Sequence, residues 1–336
     1  MPVALSLLDL APVSAGQTTR ESFAASVALA QAGERHGYTR VWYAEHHNMA
    51  TIASSATSVL IGHVAEHTST IRLGSGGVML PNHAPLTIAE QFGTLATLFP
   101  DRIDLGLGRA PGSDQATMRA MRRDPMSAES FPQDVVELQG YLRGESIIPG
   151  VQAYPGSGTN VPLYILGSSL FGAQLAAALG LPFAFASHFA PDALHEAIAI
   201  YRRDFKPGVQ LSEPYLMVAA NVVAADDSAD AVEQFTSMRR TRVRGMISRG
   251  PSTPDYSDAD IDAFLLTREG RGLANMMRYT AAGNPAEVRT FLTDLVAETG
   301  ADELILAQAS PEVGPRLRSV ELTAQAMSDE FSIVSS

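Results

Sequence analysis

Short runs of apolar and β-branched residues alternate with stretches of 3.6-residue apolar periodicity along almost the whole chain. The strand-like runs are Ala4 to Leu8, Val41 to Ala44, Ile71 to Met79, Ile103 to Leu107, Leu163 to Leu166, Phe183 to Ser187, Tyr215 to Val223 and Glu303 to Ala307, eight in all. Between them Ile88, Phe92, Leu95 and Phe99 fall on one helical face, as do Leu194, Ala197, Ile198 and Tyr201, and Val288, Phe291, Leu292, Leu295 and Val296 make the cleanest stripe. Helix starts are signposted by Thr18 with Glu21, a capping box, and by "NPAE", with Asn284 as cap, Pro285 at the first helical position and Glu287 three residues after the cap. Strand and helix in regular alternation predict parallel strands covered by helices. Eight alternations favour an α/β fold closed as a (β/α)8 TIM barrel over an open sheet, because closure removes the edges and uses every crossover in one hand. One domain over 1–336 is expected, with insertions at Pro111 to Pro162 after strand four and at Ala225 to Gly283 after strand seven. Both follow strand carboxyl ends, where barrel enzymes build their sites. The second carries "RRTRVRG", Arg239 to Gly245, readable as part of a lid or as a solvated helix face.

Composition narrows the partners. Hydrophobic residues make up 46% of the 336 and charged ones 18%, enough apolar material for a large core. A formal charge of −12 argues against nucleic acid or an anionic membrane as main partner, since both select basic surfaces. With no cysteine there is no disulfide, thiolate metal site or thiol nucleophile. The opening "MPVALSLLDLAP" lacks a basic leader region, and no run reaches the roughly 18 apolar residues of a membrane span, so a cytoplasmic location is the expectation.

Candidate chemistry gathers at strand ends. "YAEHHN" sets Glu45, His46 and His47 directly after strand two, on the catalytic face of a barrel. They could be metal ligands, structural residues, or acid/base and hydrogen-bonding groups that change charge near neutral pH. Adjacent strand residues point to opposite sides and no third ligand at a recognised spacing accompanies them, which disfavours metal. His63 and His67, spaced i, i+4, share a helical face with Ala56, Val59, Leu60 and Val64; packing against the barrel accounts for them better than zinc. Strand three ends in "LGSGGVMLPNHAP", where Gly76 and Gly77 allow a planar ligand or another backbone to approach, or mark a bulge. Strand four ends in "DLGLGRAPG", with Arg109 at the rim. Ser168 and Ser169 stand where the helix after strand five begins, and two serines, free amides and Arg109 together point to an anion, most simply a phosphate.

These stretches, together with "LTIAEQFGTLATLFPDRIDLGLGRAPG", "ILGSSLFGAQLAAALGLPFAFASHFAP" and "GNPAEV", closely resemble the bacterial luciferase-like flavin monooxygenases, nearest to the branch without known light emission. The resemblance covers nearly the whole chain, with 225–283 matching only in position and helical character. It implies FMN at the carboxyl face, used in reduced form as a cosubstrate with O2 to oxygenate a small organic molecule. It further implies a separate NAD(P)H-dependent flavin reductase as functional partner, and a homodimer. His46 and His47 are implied to be catalytic, His46 near the reacting edge of the ring, with His47 and Glu45 orienting it or touching the ring. Gly76 and Gly77 match the small pair under the ring, often joined by a non-prolyl cis peptide. Arg109, Ser168 and Ser169 match the phosphate site. Gly108 and Gly172 replace a reactive cysteine and a phosphate-binding threonine of light-emitting relatives, so light emission is not implied and the phosphate would rest on Arg109, Ser169 and backbone amides. Phe183, Phe185 and Phe189 with His188 read as an apolar or aromatic substrate lining, or, for the first two, as barrel filling. The rival readings are a dehydrogenase using a deazaflavin in the same barrel and a flavin-binding protein without turnover.

Overall fold

The computed structural model describes residues 3–110, 114–248 and 255–328. Pro111, which opens the first expected insertion, lies outside the described residues, as do the two ends of the 1–336 span and residues 249–254 of the second insertion.

Strands β1 (Ala4–Asp9), β2 (Arg40–Tyr43), β3 (Arg72–Met79), β4 (Ile103–Gly108), β5 (Leu163–Gly167), β6 (Phe183–Phe185), β7 (Leu216–Ala224), β8 (Thr280–Gly283) and β9 (Glu303–Gln308) all pair in parallel. β1 to β7 and β9 close into a barrel: β1 meets β2 at Leu7↔Val41 and β9 at Leu7↔Leu306, and the ring is completed by β6–β7 and β7–β9. The (β/α)8 expectation therefore holds, with strand limits within two residues of those read from the pattern.

β8 was not anticipated. It lies at the end of the expected second insertion and pairs with Asn221–Ala224 of β7, beyond the point where β6 stops pairing at Val218. β7 is long enough to serve both short neighbours, one after the other.

Around the barrel lie α1 (Thr19–Arg35), α2 (Thr57–Ala65), α3 (Pro85–Leu98), α4 (Gln115–Ala120), α5 (Phe131–Arg143), α6 (Leu170–Leu179), α7 (Leu194–Asp204), α8 (Ser228–Ile247), α9 (Asp258–Leu265), α10 (Arg268–Asn275), α11 (Pro285–Thr299) and α12 (Val313–Met327). Both capping boxes form: Thr18 accepts from the Glu21 amide and Asn284 from those of Ala286 and Glu287, each with the glutamate returning to the cap amide. α4 and α5 belong to the first insertion; α8, α9 and α10 to the second.

Period-two alternation divides the core. Outward residues such as Val41, Leu73, Leu105, Ile165, Phe183, Phe185 and Val218 pack under the helices, while Leu8, Trp42, Ala44, Tyr164, Ala184, Met217, Ala219 and Ile305 fill the interior. Phe183 and Phe185 thus do not line the mouth: the inward position of β6 is Ala184, and Phe183 instead meets Tyr201 of α7, ring centroids 5.5 Å apart. At the amino end of the barrel the fully buried Asp104 and Glu303 are bridged by Arg40, whose Nη1 lies 2.7 Å from Asp104 and whose Nε lies 2.9 Å from Glu303. Tyr164 accepts from Arg40 at 2.7 Å, Arg72 adds a second cation to Asp104, and Tyr215 donates to Glu303. This polar plug, not anticipated from the sequence, seals the end opposite the loops where barrel sites form.

His63 and His67 are also placed differently from expectation. Leu60 and Val64 turn inward, whereas Val59 is 72% exposed and both histidines lie at the surface, 4.7 Å apart ring to ring. Among the described residues no helix is long and apolar enough to cross a membrane.

Candidate active site

The alternation that orders β2 continues past its end. Arg40, Trp42 and Ala44 face the barrel axis, which turns His46 inward at the mouth and Glu45 and His47 to the other side. His46 is half-buried and lies close enough to His188, beyond β6 across the mouth, for its charge to oppose protonation there.

Glu45 is buried and works as an acceptor hub. Its Oε1 takes bonds from His47 Nε2 and His83 Nε2, each at 2.8 Å, and its Oε2 from the Met79 amide at 3.0 Å. Burial pushes its pKa up, but the bonds from His47 and His83 outweigh this and hold it at about 2. His47 is raised in turn by the same bond to Glu45, against the opposing effect of burial. The carboxylate therefore ties the loop after β2 to the loop after β3, directly beyond the paired glycines. His83 and Asn82 were not singled out from the sequence, although "PNHAP" placed a histidine at the next strand end.

The Gly76–Gly77 peptide is cis, and the β3–β4 register shifts between Ser75 and Val78. A Cβ on Gly77 would stand 2.8 Å from the Gly106 carbonyl oxygen, so here the close approach is by another backbone. Gly76 is half-buried, and a Cβ there would meet Leu8 and Trp42 at 2.9 Å. Gly76 thus stands against Leu8 and Trp42, Gly106 against the Ser75 carbonyl and Leu166, and Gly108 against Met79, while Ala44 and Ala219 keep neighbouring inward positions small.

On the next side of the mouth Arg109 is exposed, with its guanidinium carbon 4.2 Å above the Phe171 ring and its Nε donating to the Ala128 carbonyl. Phe171 lies in the first turn of α6, so the cation of β4 is held beside that helix start. Ser169 is the α6 N-cap, yet its side chain makes no capping bond, leaving the hydroxyl and the first-turn amides available. Ser168 precedes it and is half-buried. The glycine at 172 has a packing reason: a Cβ would lie 3.2 Å from Phe183 and 3.6 Å from the Gly167 backbone. Arg109, Ser168 and Ser169 thus lie together at the carboxyl ends of β4 and β5, and His46 lies at the carboxyl end of β2 within electrostatic reach of His188.

α8 packs against β8 and β7 on one side and α9 on another. Arg240 and Arg244 of the arginine run pair with Asp262 and Asp258 of α9, so they fasten two insertion helices together. Arg242 points elsewhere, with a buried Nη1. Among the described residues no group of three His, Asp or Glu side chains is arranged to hold a metal ion.

Known proteins match this chain in sequence and fold. A luciferase-like monooxygenase of Escherichia coli (strain K12) is 51% identical over 325 residues, covering 95% of this chain and 96% of its own. The N-acetyl-S-alkylcysteine monooxygenase of Bacillus subtilis (strain 168) is 35% identical over 272 residues, 78% of this chain and 79% of its own. The crystal structure of apo-MsnO8 superposes with a TM-score of 0.86 at 35% identity, covering 96% of this chain and 98% of that one. With the profile of the luciferase-like monooxygenases matching residues 3–303, the barrel and its loops place this chain in that family of oxidoreductases.

Proposed function

We propose that the chain is an FMN-dependent monooxygenase that uses reduced flavin and O2 to oxygenate a small organic substrate. The observation that carries this reading is His46 at the carboxyl end of β2, two residues beyond the inward Ala44, with Arg109 over Phe171 and an uncommitted α6 N-terminus at one side. Those residues fit FMN: the half-buried Gly76 and the small Ala44 present no bulky side chain to a planar ring, while Arg109, Ser168, Ser169 and the first amides of α6 offer charge and donors to its phosphate. Bound reduced FMN would supply the electrons that activate O2, the part of the chemistry no side chain can perform.

The chain's own residues would do the rest. His46 holds or passes a proton at the mouth, a task suited to an imidazole. Glu45 and His47 act as positioning residues, because their bonds fix the backbone carrying His46 and the turn after Gly77. The apolar wall under the mouth excludes water. Reduced FMN would come from a separate NAD(P)H-dependent reductase. A homodimer belongs to the same proposal; a surface groove of about 640 Å3 between α1 and α2, lined by Phe23, Val27, Val59 and Leu60, supports an apolar face to be covered, and light scattering reads it directly.

The test is turnover with photoreduced FMN under 18O2, using N-acetyl-S-alkylcysteines as first substrates and product mass as readout. Label in the product supports oxygenation. Turnover with a reduced or oxidised deazaflavin and no oxygen uptake would put the dehydrogenase reading in its place, and tight FMN binding with no turnover of any substrate would leave a flavin carrier.

A further inference from the structure

In the arginine run of α8, Arg239 lies over the Phe235 ring at 5.6 Å with a buried, unpartnered Nε, and the other three separate into two populations. Arg240 and Arg244 face α9 and are neutralised by Asp262 and Asp258, and Val243 between them packs with Ile261 and Met277. Arg242 projects from another side of the same helix. Its Nη1 is buried without a hydrogen-bond partner, and among the described residues no carboxylate pairs with it. Burial alone acts on its pKa, downward, with no neighbouring acid raising it. A guanidinium in that position loses water without regaining an anion, a cost that native structures meet with a partner.

Its surroundings identify the partner's place. Burial first, and then Arg242 and His46, both near enough to act on it, oppose protonation of His188 and push its pKa down to about 3, so that it is held neutral. His188 is 8% exposed and its Nδ1 has no partner. Next to it Asn221, an inward residue of β7, uses its amide nitrogen on the His188 carbonyl at 2.8 Å and keeps a buried Oδ1 open. Three elements thus bring unused buried polar atoms together around His188: a fixed cation, a neutral imidazole nitrogen and an amide acceptor. The flavin phosphate already has candidate donors at Arg109 and α6, on another edge.

We infer that Arg242 anchors a carboxylate on the substrate, with His188 and the Asn221 carbonyl oxygen offered to polar groups beside it, so that the enzyme selects small organic acids with an apolar portion. The neutral state of His188 matters here, because it leaves one cation for one carboxylate. An N-acylated amino acid has this chemistry: the carboxylate meets Arg242 and an amide N–H suits the Asn221 acceptor. This inference rests on the monooxygenase reading for the identity of the ligand as substrate, but the anion site itself does not require flavin.

Calorimetric titration tests it, on the full chain with and without FMN, using N-acetyl-S-benzylcysteine, phenylacetate and octanoate against their primary amides. The acids are expected to bind on the order of 10- to 100-fold more tightly than the amides. Arg242→Met should abolish that preference and Arg242→Lys should retain part of it, with the affinity for FMN unchanged and the thermal melt confirming that each variant folds. Equal binding of acids and amides by the unmodified protein, or a preference that survives in Arg242→Met, overturns the inference. So does a drop in FMN affinity in Arg242→Met with acid preference intact, which would assign the arginine to the phosphate. An unmodified protein that binds no FMN yet prefers acids through Arg242 would overturn the flavin reading and leave the anion site standing.

Discussion

His47 Nε2 stands 2.8 Å from Glu45 Oε1, two residues along a chain that alternates sides, and this one contact sets His47 apart from its neighbour His46. The pair has a defined pH window. Glu45 is depressed from 4.5 to about 2, so its contribution to stability is complete above the unfolded value and is lost as pH falls through the folded one. His47 is raised from 6.5, so its contribution is complete below that value and is lost as pH rises through the folded pKa.

Glu45→Gln is therefore expected to lower stability by roughly 1–3 kcal/mol, most between pH 4.5 and 6.5, where both contributions coexist. Thermal melts of the variant and the parent across pH 3 to 9 check this. A difference that stays flat over the whole range would mean that the contact has no titrating component.

His46→Ala should reduce turnover on the order of 100- to 10,000-fold while FMN affinity changes little, since the imidazole faces the mouth but is not part of the phosphate edge. Stopped-flow oxidation of bound reduced flavin, with product yield measured beside it, separates the two. Undiminished product formation would remove His46 from the chemistry.

Arg109→Met should weaken FMN binding on the order of tenfold or more, through the loss of a charge-assisted bond. The same variant should melt within a degree or two of the parent, because Arg109 is exposed and its protein contacts are a carbonyl and the Phe171 face. Flavin fluorescence titration decides it; unchanged affinity would place the phosphate elsewhere.

How much of this was readable in the chain depends on how local the cause is. The eight barrel strands and both capping boxes were legible because the signals sit within a few residues of one another. β8 escaped since "TAAG" has a single β-branched residue, Thr280, followed by two alanines and a glycine, and its existence depends on the free edge of β7 beyond β6. The inward turn of His46 follows from counting by twos once Trp42 is known to face the axis. Parity is also why Phe183 and Phe185 misled: an apolar run of three does not say which face its middle residue takes, and Ala184 took the inner one. Arg242 could not be told from Arg240 and Arg244 before α9 supplied Asp258 and Asp262.

The amino-end plug shows the same limit most clearly, because Arg40 finds its acids 64 and 263 residues away, where no sequence pattern connects them. Its side chain is 7% exposed and theirs are fully buried, so the ions exchanged water for each other. Such a network adds little over an apolar core, yet removal of one partner leaves buried charge uncompensated. Arg40→Met would leave Asp104 to Arg72 and the Trp42 indole N–H, and Glu303 to the hydroxyls of Tyr215 and Ser6. The expected loss is about 3–5 kcal/mol, read from the denaturant midpoint. Turnover per folded molecule at low temperature should be preserved, because the plug lies at the opposite end of the barrel from His46. A stable variant with impaired turnover would show instead that the plug shapes the mouth through the Trp42 layer, which lies between them.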